Sequence, residues 1–152
     1  MSILREMASN EFEEYLDNAI SIYAKEKIES GNWTKDEAFL RSKSEYNKLL
    51  PNGVNSDNNH LFSIINETNE VIGMIWLNEK ENSSSFIYDI NINENYQGKG
   101  YGYRAMKEIE GVAKTLGLDK IDLHVFGHNE IAINLYEKLG YKATNIMMSK
   151  KL

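Results

Sequence analysis

The chain has 152 residues, of which 41% are hydrophobic and 26% charged, and its formal net charge is −6. These values are typical of one folded domain with its own core, and they exclude a disordered protein. The acidic balance argues against a nucleic-acid partner, because such proteins need a basic surface. It would suit a cationic substrate, although mild acidity more commonly serves solubility.

The chain contains no cysteine, which excludes disulfides, thiolate metal sites and a cysteine nucleophile. The spacing of its three histidines and its carboxylates matches no metal-binding motif, so no metal is expected. No apolar run is long enough to cross a membrane, and the opening MSILREMASNEFEEYL lacks the apolar core of a signal peptide. These absences favour a cytoplasmic protein without a membrane partner.

The first 60 residues predict a short strand followed by two helices. The strand is expected within residues 2–7. Apolar residues at spacings of three and four then predict a helix from residue 10 that ends at Ser30-Gly31-Asn32. Thr34 and Glu37 form a capping box for a second helix, which ends by Pro51. The apolar positions of the first helix are Phe12, Tyr15, Leu16, Ala19, Tyr23 and Ile28.

Three strand-like runs follow, at residues 61–65, 71–77 and 85–92. Short polar turns separate them, which predicts antiparallel hairpins. The third run alternates, so that one face of the strand is mainly apolar and the other is mixed. The apolar set is Phe86, Tyr88, Ile90 and Ile92, and the mixed set is Ser85, Ile87, Asp89 and Asn91.

The second half of the chain alternates helices and strands. After glycines at positions 98, 100 and 102, a helix with the apolar face Met106, Ile109, Ala113 and Leu116 is closed by Gly117. Residues 121–125 predict a strand, Asn129 begins a short helix ended by Gly140, and residues 141–149 predict a last strand. The order β-αα-βββ-α-β-α-β indicates one domain over residues 1–152, an α/β (α+β) fold. Its sheet is mixed but mostly antiparallel, with six to seven strands and about four helices.

The glycine-rich turn Gln97-Gly98-Lys99-Gly100-Tyr101-Gly102 is the main candidate for a binding site. A turn between a strand and a helix presents unpaired backbone N–H groups to an anion, and the helix dipole adds positive charge there. Lys99 adds a full charge, so a phosphate ligand is expected, with a purely structural turn as the alternative. The P-loop motif fails because Gly100, not serine or threonine, follows Lys99, and the dinucleotide motif fails at Tyr103.

The residues from Gln97 to Gly102 resemble the Q/R-x-x-G-x-G/A motif of the GNAT family of N-acetyltransferases, whose loop holds the pyrophosphate of acetyl-CoA. A second segment, from Asn129 to Tyr141, is similar to the family pattern N-x-x-A-x-x-L-Y-x-x-x-G-F/Y. The order of elements agrees over the whole chain, and the chain looks most like small uncharacterised members from bacilli. One departure is Glu94, where the family usually has a proline.

The resemblance implies a GNAT fold with acetyl-CoA as co-substrate. Main-chain groups of Ile90 and Ile92 would pair with the pantetheine arm, and an N–H near Ile92 would polarise the thioester carbonyl. Asn129 would reach the pantetheine amide or act only as a helix cap, and both roles can hold together. The residues expected to contact the coenzyme are Ile90, Asn91, Ile92, Gln97, Gly98, Lys99, Gly100, Tyr101, Gly102, Asn129, Ala132 and Lys138.

The same resemblance implies that Tyr136 protonates the leaving thiolate, since a phenol with a pKa of about 10 is a suitable acid. The alternative is that Tyr136 is one more packing residue among nine tyrosines. The base that deprotonates the amine stays open between His124, Asp89 and a water relay. Asp89 could instead orient His124, and His124 could be purely structural. His60 and His128 lie in loops and have weaker claims.

The sequence therefore predicts an N-acetyltransferase that works by direct attack of an amine within a ternary complex. The alternatives are a non-catalytic acyl-CoA-binding or sensing module and, third, a nucleotide-binding α/β protein. The acceptor is a small amine, a peptide N-terminus or a lysine. Proteins that resemble this one are commonly dimers, so a homodimer is compatible with the sequence. The expected acceptor wall is Tyr23, Glu26, Glu29 and Trp33, although both glutamates also fit an ordinary solvated helix surface.

Overall fold

Five strands and four helices make up the chain in the computed structural model, which describes all residues 1–152. The strands are β1 (Leu4–Glu6), β2 (Asn59–Ile65), β3 (Val71–Glu79), β4 (Ser84–Ile92) and β5 (Lys120–Leu123). The helices are α1 (Ser9–Glu29), α2 (Lys35–Leu49), α3 (Tyr101–Thr115) and α4 (Glu130–Lys138). These bounds confirm the predicted positions of all four helices and of the first five strands.

The strands form one sheet in the order β1-β2-β3-β4-β5. The first four are antiparallel, and β5 runs parallel to β4 because α3 crosses over between them. The α+β class and the mixed, mostly antiparallel sheet are thereby confirmed. The strand count is five, however, and not the predicted six to seven. No helix has both the length and the apolar character needed to cross a membrane.

The predicted last strand over residues 141–149 is wrong. Residues 142–152 belong to no helix or strand, are exposed throughout and make no hydrogen bond to the rest of the chain. The alternating composition suits a strand, but a strand exists only where a neighbouring edge satisfies its backbone groups. In this structure the segment pairs with no strand edge.

Helices cover both faces of the sheet. On one face, α3 buries Ala105, Met106 and Ile109 against Ile75 and Leu77 of β3. On the other, Phe12 of α1 packs with a second cluster around Trp76. Leu116, predicted to face the core, follows the last residue of α3 and is 39% exposed.

Trp33 occupies a third cluster, between α1 and α2, where it is 8% exposed and packs with Ala24 and Ala38. The guanidinium carbon of Arg41 lies 4.9 Å from the centre of its ring. The prediction that Trp33 walls an acceptor site is therefore wrong, because its ring holds the helix pair together.

A β-bulge interrupts β4 at the point where the functional residues begin. Trp76 of β3 pairs with Asp89, whereas the next residue, Leu77, pairs with Ile87, so Tyr88 is an extra residue. Such a bulge moves the following side chains to the opposite face of the sheet. The predicted single apolar face of β4 is therefore wrong. Ile87, Ile90 and Ile92 pack towards α3, while Tyr88 packs with Trp76 on the α1 side.

Candidate active site

The glycine-rich turn lies between the end of β4 and the start of α3. Gly98 and Gly100 have φ values of 74° and 87°, which favour glycine, and a Cβ at either position would meet nothing within 4 Å. None of the backbone N–H groups from Gly98 to Tyr103 has a hydrogen-bond partner within the chain. The turn therefore presents a row of free donors at the positive end of α3, an arrangement that suits an anion.

Other residues of the turn have structural partners. The Nε2 of Gln97 donates to the carbonyl oxygen of Ile92 at 2.8 Å, which ties the turn to the end of β4. The hydroxyl of Tyr101 donates to Glu67 at 2.5 Å, and its ring is buried in the core. A Cβ on Gly102 would lie 3.4 Å from Cδ2 of Leu135, so α3 packs closely against α4 at this position. Lys99 is exposed, with its Nζ 5.7 Å from the Tyr96 ring.

Glu94 stands where the family resemblance leads one to expect proline. Here Glu94–Tyr96 form one turn of 3-10 helix, and the N–H of Asn93 donates to the carbonyl of Ile72 at 2.7 Å. These contacts fix the path from β4 into the glycine turn without the rigid proline ring.

A cleft of about 180 Å³ opens between β4 and β5. The pairing of the two strands ends at Ile87 and Leu123, so the edge of β4 beyond that point has no strand beside it. Six of the residues that line the cleft were predicted as site residues, namely Asp89, Ile90, His124, Asn129, Ala132 and Tyr136, and the other five were not. Its lining is Ile87, Tyr88, Asp89, Ile90, Leu123, His124, Val125, Phe126, Asn129, Ala132 and Tyr136. Lys138 lies away from this lining, exposed at the last position of α4.

Asp89 is half-buried and accepts a hydrogen bond from the hydroxyl of Tyr15, with 2.7 Å between the oxygens. Burial raises the pKa of the Asp89 carboxyl above its usual value, and the hydrogen bond from Tyr15 opposes that rise. Tyr15 was expected only as one apolar position of the first helix, and not as a site residue. No local signal could have shown this contact, because 74 positions separate the two residues.

His124 is exposed, and its ring lies edge-on to Phe126 with 5.2 Å between the ring centres. No hydrogen bond joins His124 to Asp89, so Asp89 does not orient His124 in this structure. The other two histidines do not line the cleft: His60 contacts Glu79 at 2.7 Å, and His128 stacks on Phe126, on which His124 also packs. No group of three or more histidine, aspartate or glutamate side chains is placed to hold a metal ion.

Tyr136 projects from α4 into the same cleft as Asp89. Burial, and then the negative charge of Asp89, raises the pKa of the Tyr136 phenol above its ordinary value. The phenol therefore keeps its proton at neutral pH and is available as a donor. Asn129 caps α4, since its Oδ1 accepts from the N–H of Ala132 at 3.2 Å, which leaves the side-chain amide N–H groups free.

These features coincide with a known family. The acetyltransferase (GNAT) family profile matches residues 16–141, and the chain belongs to that family, so it is an acetyltransferase of the N-acetyltransferase kind. It is 37% identical to the uncharacterized N-acetyltransferase YycN of Bacillus subtilis, with 99% of this chain and 98% of YycN covered. It is also 38% identical to YdgE of the same organism, with 98% and 97% covered.

Solved structures agree with this assignment. The crystal structure of YycN from Bacillus subtilis superposes with a TM-score of 0.86, covering 98% of this chain and 97% of that one at 37% identity. An acetyl transferase structure from Pyrococcus furiosus superposes with a TM-score of 0.68 at 26% identity, covering 92% and 95%. The fold and the class of enzyme predicted from the sequence are thereby confirmed.

Proposed function

We propose that the protein transfers the acetyl group of acetyl-CoA to a primary amine by direct attack, with Asp89 accepting the amine proton and Tyr136 protonating the leaving sulfur. The observation that carries this proposal is the shared cleft, in which a half-buried carboxylate and a protonated phenol line one space. An acid and a base with separated pKa values are what acetyl transfer to an amine requires.

The residues present fit the coenzyme. The six free N–H groups from Gly98 to Tyr103, with Lys99 beside them, would bind the pyrophosphate. The unpaired edge of β4 past Ile87 would pair with the amides of the pantetheine arm as an added strand does. Gln97 already bonds the carbonyl of Ile92, so Ile90 and the free amide of Asn129 are the better candidates for those contacts.

The chemistry balances with these two side chains. Asp89 takes a proton from the ammonium group and leaves a neutral amine, whose nitrogen lone pair forms a bond to the thioester carbonyl carbon. Main-chain N–H groups of the β4 edge stabilise the negative charge that develops on the carbonyl oxygen. The carbon–sulfur bond then breaks as Tyr136 gives its phenolic proton to the sulfur. The attacking nitrogen, which still carries one proton more than the amide needs, releases that proton to water, and the Tyr136 phenolate is reprotonated from water. The products are an acetylated amine and free coenzyme A.

Asp89 is favoured over His124 as the base because its carboxylate is half-buried and fixed by Tyr15, whereas the His124 ring is exposed without a hydrogen-bond partner. A fixed base is better placed to take a proton than a mobile one.

The environment of Asp89 also suggests a cationic acceptor. Two half-buried rings, those of Tyr46 and Tyr88, lie on the side of the sheet facing α1 and α2. They pack against the buried ring of Trp76 at centre-to-centre distances of 6.4 Å and 4.9 Å. Burial, followed by the charges of Asp89 and other carboxylates including Glu26 and Glu45, raises the pKa of Tyr46 to about 12. Aromatic faces and carboxylates together attract ammonium groups.

The function is tested by following thiol release from acetyl-CoA with a panel of polyamines, aminoglycosides, amino acids and peptides. We expect turnover with at least one cationic amine and heat-stabilisation of the protein by acetyl-CoA alone. Stabilisation without turnover on any amine would support the non-catalytic sensing module instead. Stabilisation by NAD or ATP but not by coenzyme A would contradict both.

The Tyr15→Phe variant tests the base. Tyr15 stabilises the ionised form of Asp89, so its removal raises the pKa of Asp89 further. Since the base must be ionised, the acidic limb of the pH profile of kcat/KM should move to higher pH. Tyr46→Phe is the matched control, because its hydroxyl makes no hydrogen bond to Asp89, and it should leave the limb in place. An unchanged limb in Tyr15→Phe, with activity abolished in His124→Ala, would assign the base to His124.

A further inference from the structure

The glycine-rich turn needs a support that holds its shape. Gly98 and Gly100 have positive φ values and nothing within 4 Å of their Cβ positions, so packing within the chain does not restrain them. A flexible turn would have to be ordered when a ligand binds, and that ordering reduces the affinity. The side chains on either side of the glycines are therefore the groups that can preorganise the turn.

Two hydrogen bonds lie on either side of these glycines. Before them, Gln97 donates to the carbonyl oxygen of Ile92. After them, Tyr101 is the first residue of α3, and its hydroxyl donates to Oε2 of Glu67 at 2.5 Å. This second bond fixes the point at which the turn becomes a helix. Glu67 lies 34 positions away, in the turn between β2 and β3, and belongs to neither of the two motifs found in the sequence.

The β2–β3 turn, residues 66–70, is held by its own hydrogen bonds. The side chain of the buried Asn66 accepts from the N–H groups of Thr68 and Glu70 at 3.0 Å each. The N–H of Asn66 donates in turn to the carbonyl oxygen of Glu70 at 3.0 Å. A turn closed in this way has little backbone freedom, so Glu67 extends from a fixed position.

We propose that Glu67 is a positioning residue for the coenzyme: through the Tyr101 hydroxyl, it holds the free N–H groups of the glycine-rich turn in the arrangement that receives the diphosphate. The inference rests on the proposed function, because it concerns the same diphosphate site. Glu67 does not line the cleft, so its effect is on binding of the coenzyme and not on the chemical step.

The protonation states of the pair agree with this role. The hydrogen bond from Tyr101 lowers the pKa of the Glu67 carboxyl, and the same bond raises the pKa of the Tyr101 phenol. At neutral pH the pair is therefore a phenol that donates and a carboxylate that accepts.

The charge of Glu67 by itself predicts the opposite effect on binding. A carboxylate near the turn repels a diphosphate, and Glu67 also accepts from Nη1 of Arg104 at 3.4 Å, which offsets a cation in the first turns of α3. If charge alone mattered, removal of Glu67 would strengthen binding of coenzyme A. Positioning predicts weaker binding, so the sign of the change separates the two explanations.

Calorimetry with coenzyme A tests the proposal. Tyr101→Phe and Glu67→Ala should each raise the Kd about threefold to tenfold. The double variant should be no weaker than the weaker single variant, since both substitutions remove one interaction. Glu67 is 62% exposed, so Glu67→Ala opens no cavity and should fold. Glu67→Gln keeps an acceptor oxygen for the phenol and should bind coenzyme A with nearly the natural affinity.

Tyr96→Phe is the matched control for Tyr101→Phe. Tyr96 precedes the restrained segment, and its hydroxyl reaches only Glu70, at 3.4 Å. The two rings are neighbours with 6.4 Å between their centres, so both variants lose one phenolic oxygen in the same region. Tyr96→Phe should leave the Kd of coenzyme A unchanged.

Turnover distinguishes positioning of the diphosphate from a general loss of structure. With acetyl-CoA, Tyr101→Phe should raise KM and leave kcat unchanged. With S-acetyl-pantetheine, which has the thioester but no diphosphate, its kcat/KM should equal that of the natural chain. Unchanged or tighter binding of coenzyme A in both single variants, losses that multiply in the double variant, or an equal loss with S-acetyl-pantetheine would overturn the proposal. A natural chain that does not bind coenzyme A would instead overturn the proposed function on which the inference rests.

Discussion

Tyr136→Phe is expected to lower kcat by about 100-fold to 10,000-fold, the usual contribution of a general acid. The ring, its half-buried position and its contact with Tyr141 all remain, so the affinity for acetyl-CoA should not change. Only the proton for the leaving sulfur is lost. Steady-state kinetics with an active amine and calorimetry with acetyl-CoA would separate the two quantities.

Tyr141→Phe is the matched control for this variant. Its ring centre lies 5.9 Å from that of Tyr136, but it does not line the cleft, and its hydroxyl has no hydrogen-bond partner. Its removal should leave kcat unchanged and should not reduce the free energy of unfolding, since a buried unsatisfied group is destabilising. Equal losses of kcat in both variants would mean that ring packing matters and not proton donation.

The pH profile gives a second check on Tyr136. An acid must be protonated to act, so activity falls as the pH rises through its pKa. Because burial and Asp89 raise the pKa of Tyr136, the basic limb of kcat should lie above the ordinary tyrosine value of about 10. That limb should be absent from the residual activity of Tyr136→Phe.

The sequence could predict the parts of the site that depend on local chemistry. The glycine turn, the cap at Asn129 and the end of α4 at Gly140 each follow from residues adjacent in the chain, and the structure has them where expected. The sharing of one cleft by Asp89, His124 and Tyr136 followed from the family resemblance, because no local pattern reports which strands separate. Their roles in the reaction remain predictions.

The predictions that proved wrong concern features of the fold that depend on contacts between segments distant in the sequence. The alternating pattern of β4 predicted that one face of the strand is apolar. The β-bulge at Tyr88 disrupts this alternation, and the bulge depends on how β4 pairs with β3, which the sequence of β4 alone cannot reveal. Trp33 was expected in the acceptor wall, because its burial depends on packing partners from both helices that the local sequence does not reveal. The segment after Tyr141 has strand composition, yet it pairs with no strand in the structure, and its composition alone could not show this.

Replacing Gly100 with valine is expected to weaken binding of coenzyme A by about ten-fold to 100-fold, which corresponds to losing one hydrogen bond to a charged group, worth about 1.5–3 kcal/mol. Gly100 has a φ of 87° and open space around its Cβ position, so the fold can tolerate the added atoms. A β-branched residue resists this conformation, at a cost of about 1–2 kcal/mol. The backbone should therefore rotate and turn its free N–H groups away from the pyrophosphate. Calorimetry with coenzyme A and with acetyl-CoA measures the change in Kd.

Gly117→Val separates the effect of the turn from backbone strain alone. Gly117 lies at the other end of α3 with a φ of 81° and equally open surroundings, so the two variants should lose similar amounts of unfolding free energy. Only Gly100→Val changes the donors that face the pyrophosphate, and only it should raise the Kd. If both variants bind coenzyme A as well as the natural chain does, the free N–H groups from Gly98 to Tyr103 do not hold the diphosphate. The coenzyme would then have to be held by other contacts, of which the unpaired edge of β4 past Ile87 is the first to test.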